Sequence, residues 1–442
     1  AQQLLPTGAT WLAQFNNARS DTNSQFVSLN PQYSPTLSFQ VRQPVMRNFS
    51  IDDARRRINI ARRRLDLSDS QFRQKAIDVV SRVQQAYWDL VFALRDVEIQ
   101  RTAVELAQTQ LERNKRMVNE GTVAPIDLVS VEVELERRKE NVLTATETVT
   151  RAENALKRLM LGDREASEWN KAIIPTDAPD THAVSYSLND AMAAAFANRQ
   201  ELAQNTLQQT INKTDVRYFE NQTKPQVDLI ASYTAAGLSG TPITTANPFT
   251  GTTTLLLNQV NLISNNLGLP PVIVPPGGQL PDFLVGGYGQ ALSNLFSNDF
   301  RTVRVGLSFS FPLRNRTAAG QLGRSLAEGR KIDAQRKTLE QSIEAEVRNA
   351  LQAVDIGRQK VDTARASREA AAKQLESEQR RFQSGLSTTY FVLERQNALS
   401  EAQGRELRAM TGYNKALSEL QRVMGTTLTS ANVELKPATT GH

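Results

Sequence analysis

The chain has no cysteine, and its two histidines are His182, in a polar stretch, and His442, the last residue. Disulfides, thiol chemistry and zinc sites built on Cys or His are thereby excluded, while the redox compartment stays open. No run of roughly eighteen apolar residues occurs, so no helix is expected to cross a bilayer. A membrane β-barrel is untouched by that absence, because its strands are short and apolar on one side only. No cleavable signal stands at Ala1, which reads as a mature or truncated start. A phosphate loop of the Walker type is also missing. The run Gly286-Gly287-Tyr288-Gly289 reads as a turn between loop and strand with no helix after it. With no recognisable nucleophile, base or metal cluster, the inventory points away from an enzyme and from any cofactor or metal.

What is present is a repeat. Val118 to Leu128 reads Val-Asn-Glu-Gly-Thr-Val-Ala-Pro-Ile-Asp-Leu, a turn between two long helical patterns, and Phe382 to Val392 reads Phe-Gln-Ser-Gly-Leu-Ser-Thr-Thr-Tyr-Phe-Val. Setting Gly121 on Gly385 also pairs Val79 with Ile343, Val83 with Val347, Ala86 with Ala350 and Leu128 with Val392. Each glycine offers the positive φ that closes a helix, so each copy predicts a helical hairpin.

Ahead of each hairpin stand two alternating segments. In the first copy Ala9, Trp11, Ala13 and Phe15 alternate with polar neighbours, as do Leu37, Phe39 and Val41, before Pro44 ends the ladder. In the second, Val227, Leu229, Ala231 and Tyr233 form one segment. Val303, Val305, Leu307, Phe309 and Phe311 form the other, closed by Pro312.

From Ser50, a plausible cap, to Val118 the period is helical, and about 65 residues of helix would extend about 100 Å. Such a helix packs beside others as a coiled coil or helical barrel. Residues 188–222 predict one further helix, and 237–299 a long loop rich in Gly, Pro, Asn and Thr. Arg55-Arg56-Arg57 and Arg62-Arg63-Arg64 admit three readings: a solvated helix face, proximity to phosphate headgroups, or a nucleic-acid patch, which the lack of interleaved aromatics disfavours.

Two copies of strand, strand, long helix, Gly turn and return helix resemble the TolC-like outer-membrane efflux channel family. The resemblance rests on Gln43-Pro44-Val45 and Phe311-Pro312-Leu313, on Glu120-Gly121-Thr122-Val123-Ala124 with Asp127, and on Ser384-Gly385-Leu386-Ser387. Leu159-Met160-Leu161-Gly162 and Arg422-Val423-Met424-Gly425 match at the helix ends. It implies a mainly α protein with membrane β: long helical hairpins in a periplasmic helical barrel, and four strands per protomer in a homotrimeric, twelve-stranded β-barrel. The division expected is a first repeat at 1–162, a connector or equatorial region at 163–187, a second repeat at 188–425 and a polar tail at 426–442. The first repeat lacks a counterpart of helix 188–222, which is expected ahead of Ala1.

The family resemblance further implies a passive exit duct in the outer membrane of a Gram-negative bacterium, serving tripartite efflux or type I secretion. Its partners would be a periplasmic adaptor (membrane fusion) protein, an inner-membrane pump of RND or ABC type, and outer-membrane lipid, with no nucleic acid. The adaptor-docking tips would be Gly121, Thr122, Val123, Gly385, Leu386 and Ser387. Asp127 matches a linking aspartate, while Phe382 and Ser387 replace the linking tyrosine and arginine. At the constriction Phe391 replaces one ring carboxylate; Glu394 is either the other or an ordinary exposed helix residue. Leu37, Phe39, Val41, Val305, Leu307 and Phe309 would face lipid, and Arg42, Arg304, Ser308 and Ser310 a wet lumen. The alternative is a soluble coiled-coil scaffold without a pore, which explains the helices but not the alternating segments.

Overall fold

The structure is a computed structural model of the 442-residue chain. It describes all residues except 25, 123, 180–185, 244–247, 274–279 and 436–442, and describes 248–254 by backbone only. Val123, His182 and His442 therefore lie outside the described residues. The chain divides into two compact units, 1–61 with 211–329 and 62–210 with 330–442. Each unit draws on both of the expected sequence repeats.

The first unit is built on sheets. Its strands are β1 (Gln2–Leu4), β2 (Thr10–Asn16), β3 (Arg19–Ser20), β4 (Leu29–Tyr33), β5 (Thr36–Pro44), β6 (Gln226–Ala236), β7 (Ser239–Pro242) and β8 (Phe300–Ser310). One antiparallel sheet has the order β1-β2-β5-β6-β8, and a small one the order β3-β4-β7. The four expected strands are thus β2, β5, β6 and β8, and the sequence reading missed four short ones.

Within the large sheet, Ala13, Phe39, Tyr233 and Val303 stand in one cross-strand row, and Trp11, Val41, Ala231 and Val305 in the next but one. Facing residues in antiparallel pairs share a side, so the alternation read from sequence assembles into one largely apolar face. The opposite face carries Gln40, Arg42, Ser232, Thr234, Arg304 and Ser308, interrupted by Leu12 and Ile230.

Segment 237–299, expected as loop, instead contains β7, α5 (Pro248–Asn266) and α6 (Tyr288–Phe296). The Gly286-Gly287 run is therefore followed by a helix, with Gly287 as its cap. Helix α6 seats tightly: Ala291 and Leu295 are buried, and the Asn294 amide donates to the carbonyls of Leu238 (2.8 Å) and Phe283 (2.6 Å). A Cβ on Gly237 would stand 1.9 Å from the Ala291 carbonyl oxygen, so this approach requires glycine.

Where strand passes to helix, polar side chains bind the backbone. Helix α1 (Asp53–Asn119) is capped by Asp52 rather than Ser50: the Asp52 carboxylate accepts from the Arg55 N–H at 2.7 Å and from its guanidinium at 2.8 Å. Arg55 also donates to the Asn48 and Phe49 carbonyls. Arg56 donates to Asp215 at 2.6 Å and lies over the rings of Tyr218 and Phe219, all on α4 (Gln200–Gln222). The first arginine triplet is thus largely taken up in structural ties, and its aromatic neighbours come from a distant stretch of sequence.

The second unit is helical. Beside most of α1 it holds α2 (Pro125–Met160), α3 (Leu188–Asn198), part of α4, most of α7 (Arg316–Gln383), α8 (Thr389–Val423) and α9 (Thr427–Ser430). The single helix expected over 188–222 breaks at Arg199, whose guanidinium reaches Glu346 at 2.8 Å and the Val423 carbonyl at 3.4 Å. The main core joins Ala191, Ala195 and Leu202 to Ile343, Val347, Ala350, Tyr413 and Leu420. A second cluster joins Ala107 and Leu111 of α1 to Val131 and Leu135 of α2 and Leu393 of α8.

Candidate functional site

Both hairpin turns are made the same way. Gly121 has φ 74° and Gly385 φ 71°, and the next N–H reaches back five residues, Thr122 to Met117 and Leu386 to Arg381, at 2.9 Å each. This closure satisfies carbonyls left over at the helix end. An added Cβ would meet nothing within 4 Å at either glycine, so the backbone conformation and not crowding demands the residue. The tips differ in what they expose. Thr122 turns its hydroxyl back to the Met117 carbonyl, whereas Leu386 is 71% exposed and Ser387 donates to Glu378.

The residues expected at a constriction separate into two groups. Phe382 is 4% exposed, packs with Leu375 and Val392 beside Met117, and has the Arg113 guanidinium 5.0 Å above its ring. Its side chain is taken up in that apolar cluster. Phe391 is half exposed and meets Tyr390 edge to face at 5.6 Å. Glu394 is exposed, and neither it nor the Asp127 carboxylate bonds another described side chain. No bond joins Asp127 to Phe382 or Ser387, so a polar lock through those positions is not formed among the described residues.

The polar connection between the hairpins lies elsewhere, at residues the sequence reading did not single out as ties. Asn114 on α1, fully buried, donates to the Thr389 hydroxyl on α8 at 3.0 Å and accepts from Gln110 at 2.8 Å. Arg138 on α2, 3% exposed, donates to the Ala103 carbonyl of α1 (2.8 Å), Glu134 (2.8 Å) and Asn397 of α8 (2.9 Å). One guanidinium thus joins three helices, with its donors satisfied where an unpaired charge would be costly. Burial pushes the Glu134 carboxyl up, but the hydrogen bonds and charges of Arg137 and Arg138 outweigh it and hold the group below its ordinary value. A signal was present: Arg138 extends the stripe Leu128, Val131, Leu135 by one more helical step, where a solvated arginine does not belong.

On the large sheet, the six residues expected to face lipid, Leu37, Phe39, Val41, Val305, Leu307 and Phe309, all fall on the apolar face. Arg42, Arg304, Ser308 and Ser310 fall on the other. Strand β8 is exposed along its whole length and, among the described residues, pairs only with β6. Among the described residues no helix is long and apolar enough to cross a membrane, and no group of His, Asp or Glu is arranged to hold a metal ion.

Similar proteins agree with this architecture. VceC of Vibrio cholerae, an outer membrane protein, superposes with a TM-score of 0.65 at 13% identity, over 95% of this chain and 87% of that one. The Campylobacter jejuni CmeC outer membrane channel gives 0.62 at 15% identity, over 97% and 80%. The open state of the Neisseria gonorrhoeae MtrE outer membrane channel gives 0.60 at 15%, over 96% and 81%. At such identities these likenesses carry the fold alone. No curated protein matches the sequence. The family profile of the outer membrane efflux proteins matches residues 11–162 and 279–426, more than half of the chain. With its apolar-faced sheet and paired long hairpins, this chain belongs to the outer membrane efflux protein family.

Proposed function

We propose that the chain is one third of a passive exit duct. Three copies pair edge to edge into a twelve-stranded barrel in the outer membrane of a Gram-negative bacterium, and the long hairpins form a tunnel in the periplasm. The observation that carries this reading is the edge of β8. Eleven residues pair with β6 on one side and, among the described residues, with nothing on the other, on a strand whose Val303, Val305, Leu307 and Phe309 are exposed. A row of unpaired backbone groups is not tolerated in hydrocarbon, so such an edge needs a partner strand. The far edge of the sheet offers one, since Ala1 and β1 together cover β2 from Thr10 to Ala13 and leave its remaining residues without a neighbouring strand on that side among the described residues.

In this reading the polar face lines the water path, and the repeats 1–162 and 188–425 flank the connector 163–187. The turns at Gly121 to Val123 and Gly385 to Ser387 dock a periplasmic adaptor, and an inner-membrane RND or ABC-type pump supplies the energy, in tripartite efflux or type I secretion. Because Phe382 is held in an apolar cluster, Phe391 and Glu394 remain as the side chains available to narrow the tunnel. Charged rings select ions, and an aromatic ring narrows by excluding water.

The test is the oligomeric mass and conductance of the detergent-purified protein. A mass of three protomers with ion conductance in a planar bilayer is expected; a monomer soluble without detergent and unable to conduct would return the chain to the pore-free scaffold. Phe391→Ala should raise single-channel conductance, and an unchanged value would count against a constriction there.

A further inference from the structure

We infer that helix α5 and the turn after it form a second membrane-contacting surface, apart from the strands, whose partner is lipid at the headgroup and upper acyl level. The inference rests on the outer-membrane reading above and goes beyond it.

Between β7 and β8 the chain makes two helices of opposite character. Helix α6 buries Ala291 and Leu295. In the α5 segment Leu255, Leu256, Leu262, Ile263, Leu267 and Leu269 are exposed by 69%, 58%, 65%, 59%, 68% and 57%. Among the described side chains of α5, Asn261 accepts from the Val272 N–H at 2.7 Å and donates to the Val272 carbonyl at 3.2 Å. A cluster of exposed leucines on one short segment is too large to be scattered surface residues.

Two observations choose lipid over a protein partner or a second copy. The first is charge. From Leu229 to Pro281 there is no Asp, Glu, Lys or Arg, in a chain with 22% charged residues overall. A protein surface held against α5 would find no ion pair to fix its register, whereas hydrocarbon requires such neutrality. The second is shape. At the helical angle, Leu262, Leu255, Ile263, Leu256 and Val260 sweep roughly half the circumference, with the neutral Gln259 and Asn266 among them and Asn258, Asn261 and Asn265 opposite. A face that wide, backed by neutral amides, suits a helix lying in an interface plane, and α5 does not qualify as a bilayer-crossing helix. It is also continuous in chain with the strands of the apolar-faced sheet, inserted between β6 and β8. Residues 163–278, which contain α5, lie between the two stretches that match the family.

The absence of cysteine makes a direct experiment simple. Leu262→Cys and, separately, Phe309→Cys on β8 carry the fluorophore NBD in the full-length protein, reconstituted into phosphatidylcholine vesicles with or without brominated acyl chains. Quenching of at least about twofold at both positions is expected, because both labels meet hydrocarbon. Quenching at position 309 with none at 262 would overturn the lipid assignment of α5 and leave the membrane sheet standing. Quenching at neither would sink the outer-membrane reading and the inference together. Pyrene on Leu262→Cys gives a further control, since strong excimer emission would mean that α5 meets its copies and would overturn the lipid assignment.

Discussion

Val79, Val83 and Ala86 on α1 repeat the spacing of Ile343, Val347 and Ala350 on α7, yet only the second set is buried; the first is half-buried. The difference is a third layer. Ala191, Ala195 and Leu202 of α3 and α4 press on the α7 stripe, and no described helix does the same for Val79 and Val83. The first hairpin is secured further along instead, by a smaller apolar cluster and the polar ties of Asn114 and Arg138. An amphipathic stripe declares which side of a helix needs cover, while what provides the cover is decided by the rest of the chain.

The sharpest test of the polar side of this comparison is Glu134→Ala. It leaves the Arg138 guanidinium buried with its counter-charge gone, a change that costs about 3–5 kcal/mol. Denaturant unfolding should show it, and a loss below 1 kcal/mol, on the order expected of an exposed pair, would break the comparison. On the apolar side, Ile343→Ala removes a fully buried side chain and should cost about 2–5 kcal/mol in the same measurement.

Acid separates the two modes of attachment. Glu134 has a folded pKa below its ordinary 4.5, so its contribution is complete above that value and is lost as pH falls through the lower folded one. Unfolding midpoints followed from pH 6 downward, a range of about 3 units around that ordinary value, should drop less steeply in Glu134→Gln than in the native chain. An unchanged slope would mean that Glu134 is not an acid-sensitive tie.

Smaller effects remain. Gly121→Ala and Gly385→Ala should each cost about 1–2 kcal/mol, and nearly equally, because both force a Cβ into the left-handed region. Val83→Ala should cost less than about 1 kcal/mol, reflecting partial burial. A loss as large as that of Val347→Ala would reveal that another chain covers the α1 stripe in the assembled protein.

Much of this was legible before the structure. Glycine at 121 and 385 announced the turns, and alternation through Val303 to Phe309 announced a strand with two unlike faces. Helix α5 was not legible, because the continuous triplet Leu255-Leu256-Leu257 and the neutral Gln259 and Asn266 blur its helical period amid turn-forming Gly, Pro and Asn, and the cap at Asp52 was shadowed by Ser50 two residues earlier. The burial of Phe382 among Leu375 and Val392 was not legible either, because its partners on α7 and α8 are brought together only by the turn at Gly385. Burial of Arg138 depends on Asn397 and Ala103, far away in sequence, so its stripe position was the sole local hint.

The lone side of β8 bears on the life of the molecule before it reaches a membrane. Eleven residues of open strand, apolar on one face, are a template for any other strand they meet. If the chain assembles as proposed, synthesis that outruns subunit encounter would clump through this segment first. Under that proposal, protease accessibility of residues 300–310 would report how many newly made chains are still unassembled.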